Sequence, residues 1–386
     1  MSVSAATVER VNLRPTWAEV SLPTLRQNFR AVCDWVSPAA TVCAVVKAHA
    51  YGHGAVECAR ALELEGAKWF GVTSTDEGLA LRDGGIAGRI LLMTGFWRGD
   101  EELVLENDLT PAVWRREHIE RLEQAAERLR KDAVGVHLKV DTGMARLGAS
   151  FEELPQLLAK LRAAKHVKVE GLFSHLASAE VVDSQQVDEQ LARFERAAEL
   201  VKQGGLAPAY LHIANTSAIA TRPKSWMNLV RPGIALYGYQ LPSVLEGKSF
   251  DLPLRPVLSW KTRIFSLRDV GAGQAIGYSG AYVAQAPARI AALPVGYADG
   301  LSRKLSSRGR VIVHDQYAPI VGNVSMDITL VDVTAIPGAE IGSEVIILGR
   351  SEHCAVTADD HARIAGTIPY EILCNISKRV PRNYVG

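Results

Sequence analysis

The chain has 386 residues, 48% hydrophobic and 22% charged, enough to bury a sizeable core and to divide into two domains. Its net charge of +1, with no basic stripe or polybasic tail, argues against nucleic acid or a membrane surface as the main partner and leaves a small molecule as the default ligand. No apolar run reaches a membrane span, and residues 1–16 lack the apolar centre of a signal peptide, so a cytoplasmic location is expected. Cys33, Cys43, Cys58, Cys354 and Cys374 are odd in number and contain no C-x-x-C pair, which fits reduced thiols better than disulfides or zinc.

Eight β-prone runs, 41–46, 69–72, 89–93, 110–113, 135–140, 167–174, 210–214 and 229–237, alternate with helical periodicity. Ile119, Leu122, Ala126 and Leu129 share one helical face, as do Leu154, Leu157, Leu158 and Leu161, and Leu191, Phe194, Ala198 and Val201. This order suits a (β/α)8 barrel, and a doubly wound open sheet would give a similar pattern. Beyond residue 249 the pattern changes to strands without crossover helices, at 257–270, 289–295, 310–314, 328–333 and 344–348. The Pro-rich stretch 252–256 reads as a linker, and Thr357, followed by Asp359 and Asp360, reads as a helix N-cap. The expected division is a barrel over 14–249 and a mainly-β domain over 250–386.

Unusual residues collect at the strand ends. Lys47 closes an apolar run, where a lysine suits Schiff-base chemistry or merely snorkels to water. Asp141 to Arg146 follow the fifth run, His175 the sixth, and Asn215 and Thr216 the seventh; Arg231 and Gly233 lie in the eighth. In a barrel all of these face the C-terminal mouth, where active sites are built. Asn215, Thr216 and Gly233 read either as an anion site of hydroxyls and backbone N–H groups or as an ordinary cap beside a structural glycine. Arg231, embedded in an apolar run, needs a partner, which could be a carboxylate. Asp141 and Arg146 could pair in a surface loop. His49 and His53 have H-x-x-x-H spacing, but Gly52 interrupts any helix and no Glu follows the first His, so no metal is assigned.

Seven segments carry a family resemblance: AVVKAHAYGHG (44–54), KVDTGMARLG (139–148), HIANTS (212–217), LVRPGIALYG (229–238), QAIGYSGAY (274–282), PVGYADG (294–300) and GNVSMD (322–327). They resemble the alanine racemases, which use pyridoxal 5′-phosphate (PLP). The resemblance implies an α/β fold, an N-terminal (β/α)8 TIM-type barrel with a C-terminal mainly-β domain, in a homodimer whose active sites are shared between chains. It implies interconversion of L-alanine and D-alanine through a PLP aldimine by two bases, Lys47 on one face of the α-carbon and Tyr278 on the other.

The same resemblance assigns the remaining site residues. Tyr51, Thr216, Gly233, Ile234 and Tyr370 match positions that hold the PLP phosphate, with Asn215 beside them. Arg231 matches the donor to the pyridine nitrogen, with His212 and His175 behind it. Arg146 matches a contact to the substrate carboxylate and the cofactor phenolic oxygen, and Met326 a backbone contact to that carboxylate. Tyr297 and Tyr370 narrow the entrance, and Lys139 matches a lysine found carbamylated in several relatives. A phenol titrates near pH ~10, so Tyr278 needs positive charge nearby, and His175 and Arg231 are the expected sources; apart from the resemblance, Gly-Tyr-Ser-Gly is an ordinary turn. Two positions depart from the family: Ala145 where glycine is usual, and Asn323 where arginine is frequent. Three alternatives remain. A non-catalytic PLP-binding barrel would lack the β domain. A decarboxylase of the same fold needs a Cys-Asp pair after the barrel, and the only such pair, Cys33-Asp34, lies too early. The third is an amino-acid racemase of broader specificity.

Overall fold

The computed structural model describes residues 14–181, 183–240 and 252–386. They form two compact units, one spanning Leu22–Val257 and one joining the segment that ends at Ser21 to Leu258–Val385. The strand β1 (Thr16–Ser21) opens the described chain. The first unit then contains β2 (Thr41–Val45), β3 (Trp69–Val72), β4 (Arg89–Leu92), β5 (Leu109–Val113), β6 (Val134–Lys139), β7 (Val167–Phe173), β8 (Tyr210–His212) and β9 (Leu229–Val230).

These eight strands pair in parallel in the order β8-β7-β6-β5-β4-β3-β2-β9. A parallel bridge between Asn215 and Arg231, with the Arg231 N–H donating to the Ala214 carbonyl at 3.0 Å, closes the sheet into a barrel. Near-continuous apolar runs make such strands because both faces are covered. The intervening helices read as expected: Ile119, Leu122, Leu154, Leu157, Phe194 and Val201 are all buried. Inside, Cys43, Trp69, Leu91 and Leu229 pack as one cluster with Met93 and Tyr210.

The expected strand 229–237 is corrected. Only Leu229–Val230 is strand, Arg231 adds a single isolated bridge, and Ile234–Tyr237 is a 3-10 turn. Pro232 offers no N–H to a ladder, and Gly233 at φ −109°, ψ −93° redirects the chain.

The second unit holds β10 (Leu258–Arg263), β11 (Ser266–Val270), β12 (Ala275–Ile276), β13 (Tyr282–Val283), β14 (Ala288–Leu293), β15 (Arg310–Val313), β16 (Gln316–Pro319), β17 (Thr329–Asp332), β18 (Glu344–Arg350), β19 (Ala355–Val356) and β20 (Arg382–Val385). Its main sheet runs β16-β15-β18-β10-β1-β20, and β11-β14-β17 form a second. The barrel therefore starts later than the expected residue 14. Thr16, Ala18 and Val20 alternate into the core of the β unit, with β1 antiparallel to β10 and parallel to β20. The expected boundary at 249/250 lies outside the described residues. The expected strand 257–270 is two strands in different sheets. Thr357 caps Ala358–Ala365 through a reciprocal box with Asp360, as its sequence implies.

Candidate active site

The chain leaves β2 through an unusual turn. Ala48, His49, Ala50 and Tyr51 all take left-handed φ values, between 52° and 56°, before Gly52 at 84°. Each such step costs a non-glycine residue about 1–2 kcal/mol, so the surroundings must hold the turn. Glu77 accepts the Ala48 N–H at 2.6 Å, the Gly52 N–H reaches the Ala48 carbonyl at 3.1 Å, and His53 Nδ1 donates to the Ala50 carbonyl at 2.9 Å. Tyr51 is buried with its ring 4.9 Å from that of Tyr237, whose hydroxyl donates to the Val45 carbonyl at 3.0 Å. Half-buried Lys47 stands at the head of this turn. Strain of this kind clusters where geometry serves chemistry.

Next to this turn, the ends of β8 and β9 gather hydroxyl and backbone N–H groups. Asn215 caps Thr216–Thr221 by accepting the Ala218 N–H at 3.1 Å. The Thr216 hydroxyl accepts the Gly233 N–H at 2.9 Å, which leaves its own hydrogen to donate. A Cβ on Gly233 would sit 2.3 Å from the Tyr51 hydroxyl oxygen, so only glycine lets that phenol approach the backbone beside Ile234.

Arg231 is 4% exposed, and no carboxylate pairs with it among the described residues. Its guanidinium instead donates to neutral acceptors: His212 Nδ1 at 2.6 Å, the Ser174 carbonyl at 2.7 Å, the Ile213 carbonyl at 3.3 Å and His175 Nδ1 at 3.5 Å. Burial pushes it down to about 10, still protonated at neutral pH. His212 and His175 are held well below the usual imidazole range, by burial first and then by Arg231. His175 therefore brings no positive charge to the site at neutral pH, contrary to its expected role beside Tyr278.

Lys139 is 4% exposed and donates to the Met93 carbonyl at 2.9 Å. Burial, followed by the cations Arg231, Arg146 and Lys47, pushes its amine down to about 7. Arg146 is exposed on the loop after β6. Asp141 does not pair with it; its Oδ1 accepts the N–H groups of Gly143 and Met144 at 2.8 and 2.9 Å. Ala145 stands at φ 55°, a conformation glycine adopts at no cost.

In the second unit Tyr278 is 73% exposed on a turn where Gly277 and Ser279 have φ values of 74° and 60°. Asn323 ties that turn down by donating from Nδ2 to the Tyr278 carbonyl at 3.1 Å. Tyr297 and Met326 are brought together by backbone: Tyr297 and Ala298 donate to the Ser325 and Met326 carbonyls at 3.0 and 3.1 Å. Tyr370 lies in Pro369–Cys374, next to Glu371, which with Tyr297 lines a cavity of about 340 Å³. A cavity of about 470 Å³ at the N-terminal ends of β4 to β6 is no rival site. Its cations are spent: Arg82 on four carbonyls, Arg89 on Glu170, Lys131 on Asp108.

The barrel thus gathers Lys47, Tyr51, Lys139, His175, Asn215, Thr216, Arg231, Gly233 and Ile234 at the C-terminal ends of its strands. Sequence reasoning missed Glu77, Tyr237 and His137. His137 was legible, because it shares a strand face with Lys139 at i, i+2.

A lysine, a hydroxyl-lined strand end and a buried guanidinium at a barrel mouth are what a barrel enzyme holding a phosphorylated pyridine cofactor needs. Residues 20–241 match the alanine racemase N-terminal domain and residues 257–384 the alanine racemase C-terminal domain. The chain is 42% identical over 376 residues to an alanine racemase of Geobacter sulfurreducens, covering 96% of this chain and 97% of that one. A crystal structure of alanine racemase from Streptomyces lavendulae superposes with a TM-score of 0.90 at 36% identity, covering 97% of each chain. One from Bartonella henselae with covalently bound pyridoxal phosphate gives 0.84 at 31% identity, covering 96% and 99%. The chain belongs to the alanine racemase family.

Proposed function

We propose that this chain interconverts L-alanine and D-alanine with PLP, Lys47 and Tyr278 acting as the two bases. The carrying observation is Arg231, a buried guanidinium satisfied only by neutral groups, which suits a neutral acceptor such as a pyridine nitrogen. The hydroxyls of Tyr51 and Thr216, the backbone at Gly233 and Ile234, and Tyr370 suit the phosphate. Bound PLP supplies an electron sink that acidifies the α-hydrogen of alanine. A guanidinium can only donate, so Arg231 would hold the ring nitrogen of bound PLP unprotonated and weaken that sink, which would favour return of the proton to the α-carbon over transamination. The Lys47 amine holds or takes the proton on one face, and the Tyr278 phenol on the other. Arg146 and the Met326 backbone orient the substrate carboxylate, and Tyr297 limits side-chain size.

Several finer parts belong to the same proposal. The barrel spans 14–249 less the strand β1, and the β domain reaches the barrel mouth of a second copy in a homodimer; the exposure of Tyr278 supports this. The enzyme works in the cytoplasm. Lys139 is carbamylated: an amine lowered to about 7 is about half neutral at neutral pH, the neutral form attacks CO2 and loses a proton as the N–C bond forms, and the carbamate offsets Arg146. The test is chiral analysis of product from L-alanine, with serine and lysine as comparators. Alanine left unracemised by the PLP-loaded protein refutes the reading, and comparable turnover of all three makes it a racemase of broader specificity.

A further inference from the structure

Behind Arg231 the barrel interior contains a second imidazole that the reaction does not touch. His137 on β6 is fully buried, and its Nδ1 lies 2.8 Å from His212 Nε2. Two features of the strands seat it. The pairing of β6 with β7 shifts register between Val136 and His137, a bulge of the kind that re-aims a side chain. Gly171 on β7 faces it, where a Cβ would lie 2.5 Å from His137 Nδ1 and 2.6 Å from two ring carbons. The ring stacks on Tyr210 at 6.0 Å and tilts on Trp69 at 5.2 Å, while His212 stacks on Phe173 at 4.7 Å.

The protons on this chain of rings can be placed by elimination. Arginine only donates, so His212 Nδ1 is an acceptor and the neutral His212 carries its hydrogen on Nε2. That hydrogen points at His137 Nδ1, which must also accept, so His137 carries its hydrogen on Nε2. The Nε2 of His137 has no partner among the described residues, an uncompensated buried donor that costs about 1–3 kcal/mol. The reverse proton order would set a His212 Nδ1–H against the guanidinium hydrogens. A proton added to either ring would likewise bring two donors together.

We infer that His137 is a positioning residue: by accepting from His212 it fixes the His212 tautomer, keeps Nδ1 of His212 open to Arg231, and so holds the guanidinium in place. This rests on the proposed role of Arg231. The pair disfavours protons from behind the site, since the groups around it are the cations Arg231 and Arg89, the side chain of Lys139, the phenol of Tyr210, and Glu170, which Arg89 already engages. Burial, with Arg89 and Arg231, accordingly pushes His137 down to about 3.

Neutron diffraction from deuterium-exchanged crystals of the PLP-loaded protein tests the assignment without any variant. Deuterons on Nε2 of both His212 and His137, with Nδ1 of both bare, are expected; a deuteron on His212 Nδ1, or two on either ring, overturns it. His137→Phe removes the acceptor, and Gly171→Ala displaces the ring that carries it. Each is expected to lower kcat by roughly 10- to 100-fold with a smaller change in KM, and to let His212 carry its hydrogen on Nδ1 in part of the molecules, read from the 15N shifts of the labelled ring. His137→Gln, whose amide oxygen can accept, restores the wild-type shifts. A Phe variant in which His212 keeps its hydrogen wholly on Nε2 overturns the inference. If the deuterons stand as expected but alanine is not racemised, the functional reading fails and the relay remains.

Discussion

Replacing Gly233 by alanine tests the hydroxyl-lined strand end most directly. The new Cβ would sit 2.3 Å from the Tyr51 hydroxyl oxygen and 3.0 Å from its Cζ. Carbon and oxygen settle at roughly 3.3 Å, so the phenol must retreat by about 1 Å in a buried site. Overpacking of this kind costs about 1–3 kcal/mol, which equals roughly 5- to 150-fold in affinity when it falls on a bound ligand. Gly233→Ala is therefore expected to weaken PLP rebinding to the apoprotein by that factor, measured by recovery of the cofactor absorbance. Tyr51→Phe removes the clashing oxygen and leaves a ring carbon that needs to give only a few tenths of an ångström. In the double variant the alanine should cost at least ~1 kcal/mol less than it does alone, a coupling that contacting residues show and distant ones do not. Additive losses would refute the close approach of Tyr51 to the strand-end backbone.

Ala145→Gly should stabilise the protein: relief of a left-handed alanine gives about 1–2 kcal/mol, and the extra freedom of glycine in the unfolded chain takes back ~0.4–1. The urea midpoint should rise, and a fall would mean that the φ of 55° is not strained. His137, His175 and His212 are all neutral in the fold, lowered from 6.5, so the unfolded state binds more protons below that pH and stability drops as pH falls from about 6.5 towards 5. Each contributes about 1.4 kcal/mol per pH unit once its unfolded form is protonated; a urea midpoint that is flat over that interval would contradict the neutral network. Tyr278→Phe should retain the absorbance of bound PLP and lose most racemisation, and unchanged turnover in both directions would remove the phenol from the mechanism.

Local signals carried much of the architecture. Trp69–Val72 was delimited to the residue because Lys68 and Thr73 bracket a continuous apolar run, and Thr357 announced its helix through the capping residues that follow it. What failed was non-local or conformational. Thr16–Ser21 alternates as a strand should, but its partners lie more than 200 residues away, so nothing nearby assigns it to a sheet. Residues 229–237 kept an apolar pattern through a 3-10 turn, because burial on all sides erases the difference in period. The left-handed turn at Ala48 to Tyr51 is written in ordinary residues, and its cause is the packing of Tyr51 and the acceptor Glu77. In the site, residues at strand ends were readable because chemistry-bearing types interrupt apolar runs; the pairing of His137 with His212 required knowing that β6 and β8 flank β7.

The placement of β1 also dictates an order of assembly. It lies between β10 and β20, so the first described strand waits through synthesis of both units for the last one, Arg382–Val385. The barrel can close while the ribosome is still making the β unit, whose main sheet is finished only after Arg382–Val385 has been made. A fragment cut at residue 257 would expose the flank of β10 and leave β20 without a neighbour, so such a piece should aggregate unless residues 14–21 are supplied to it in trans.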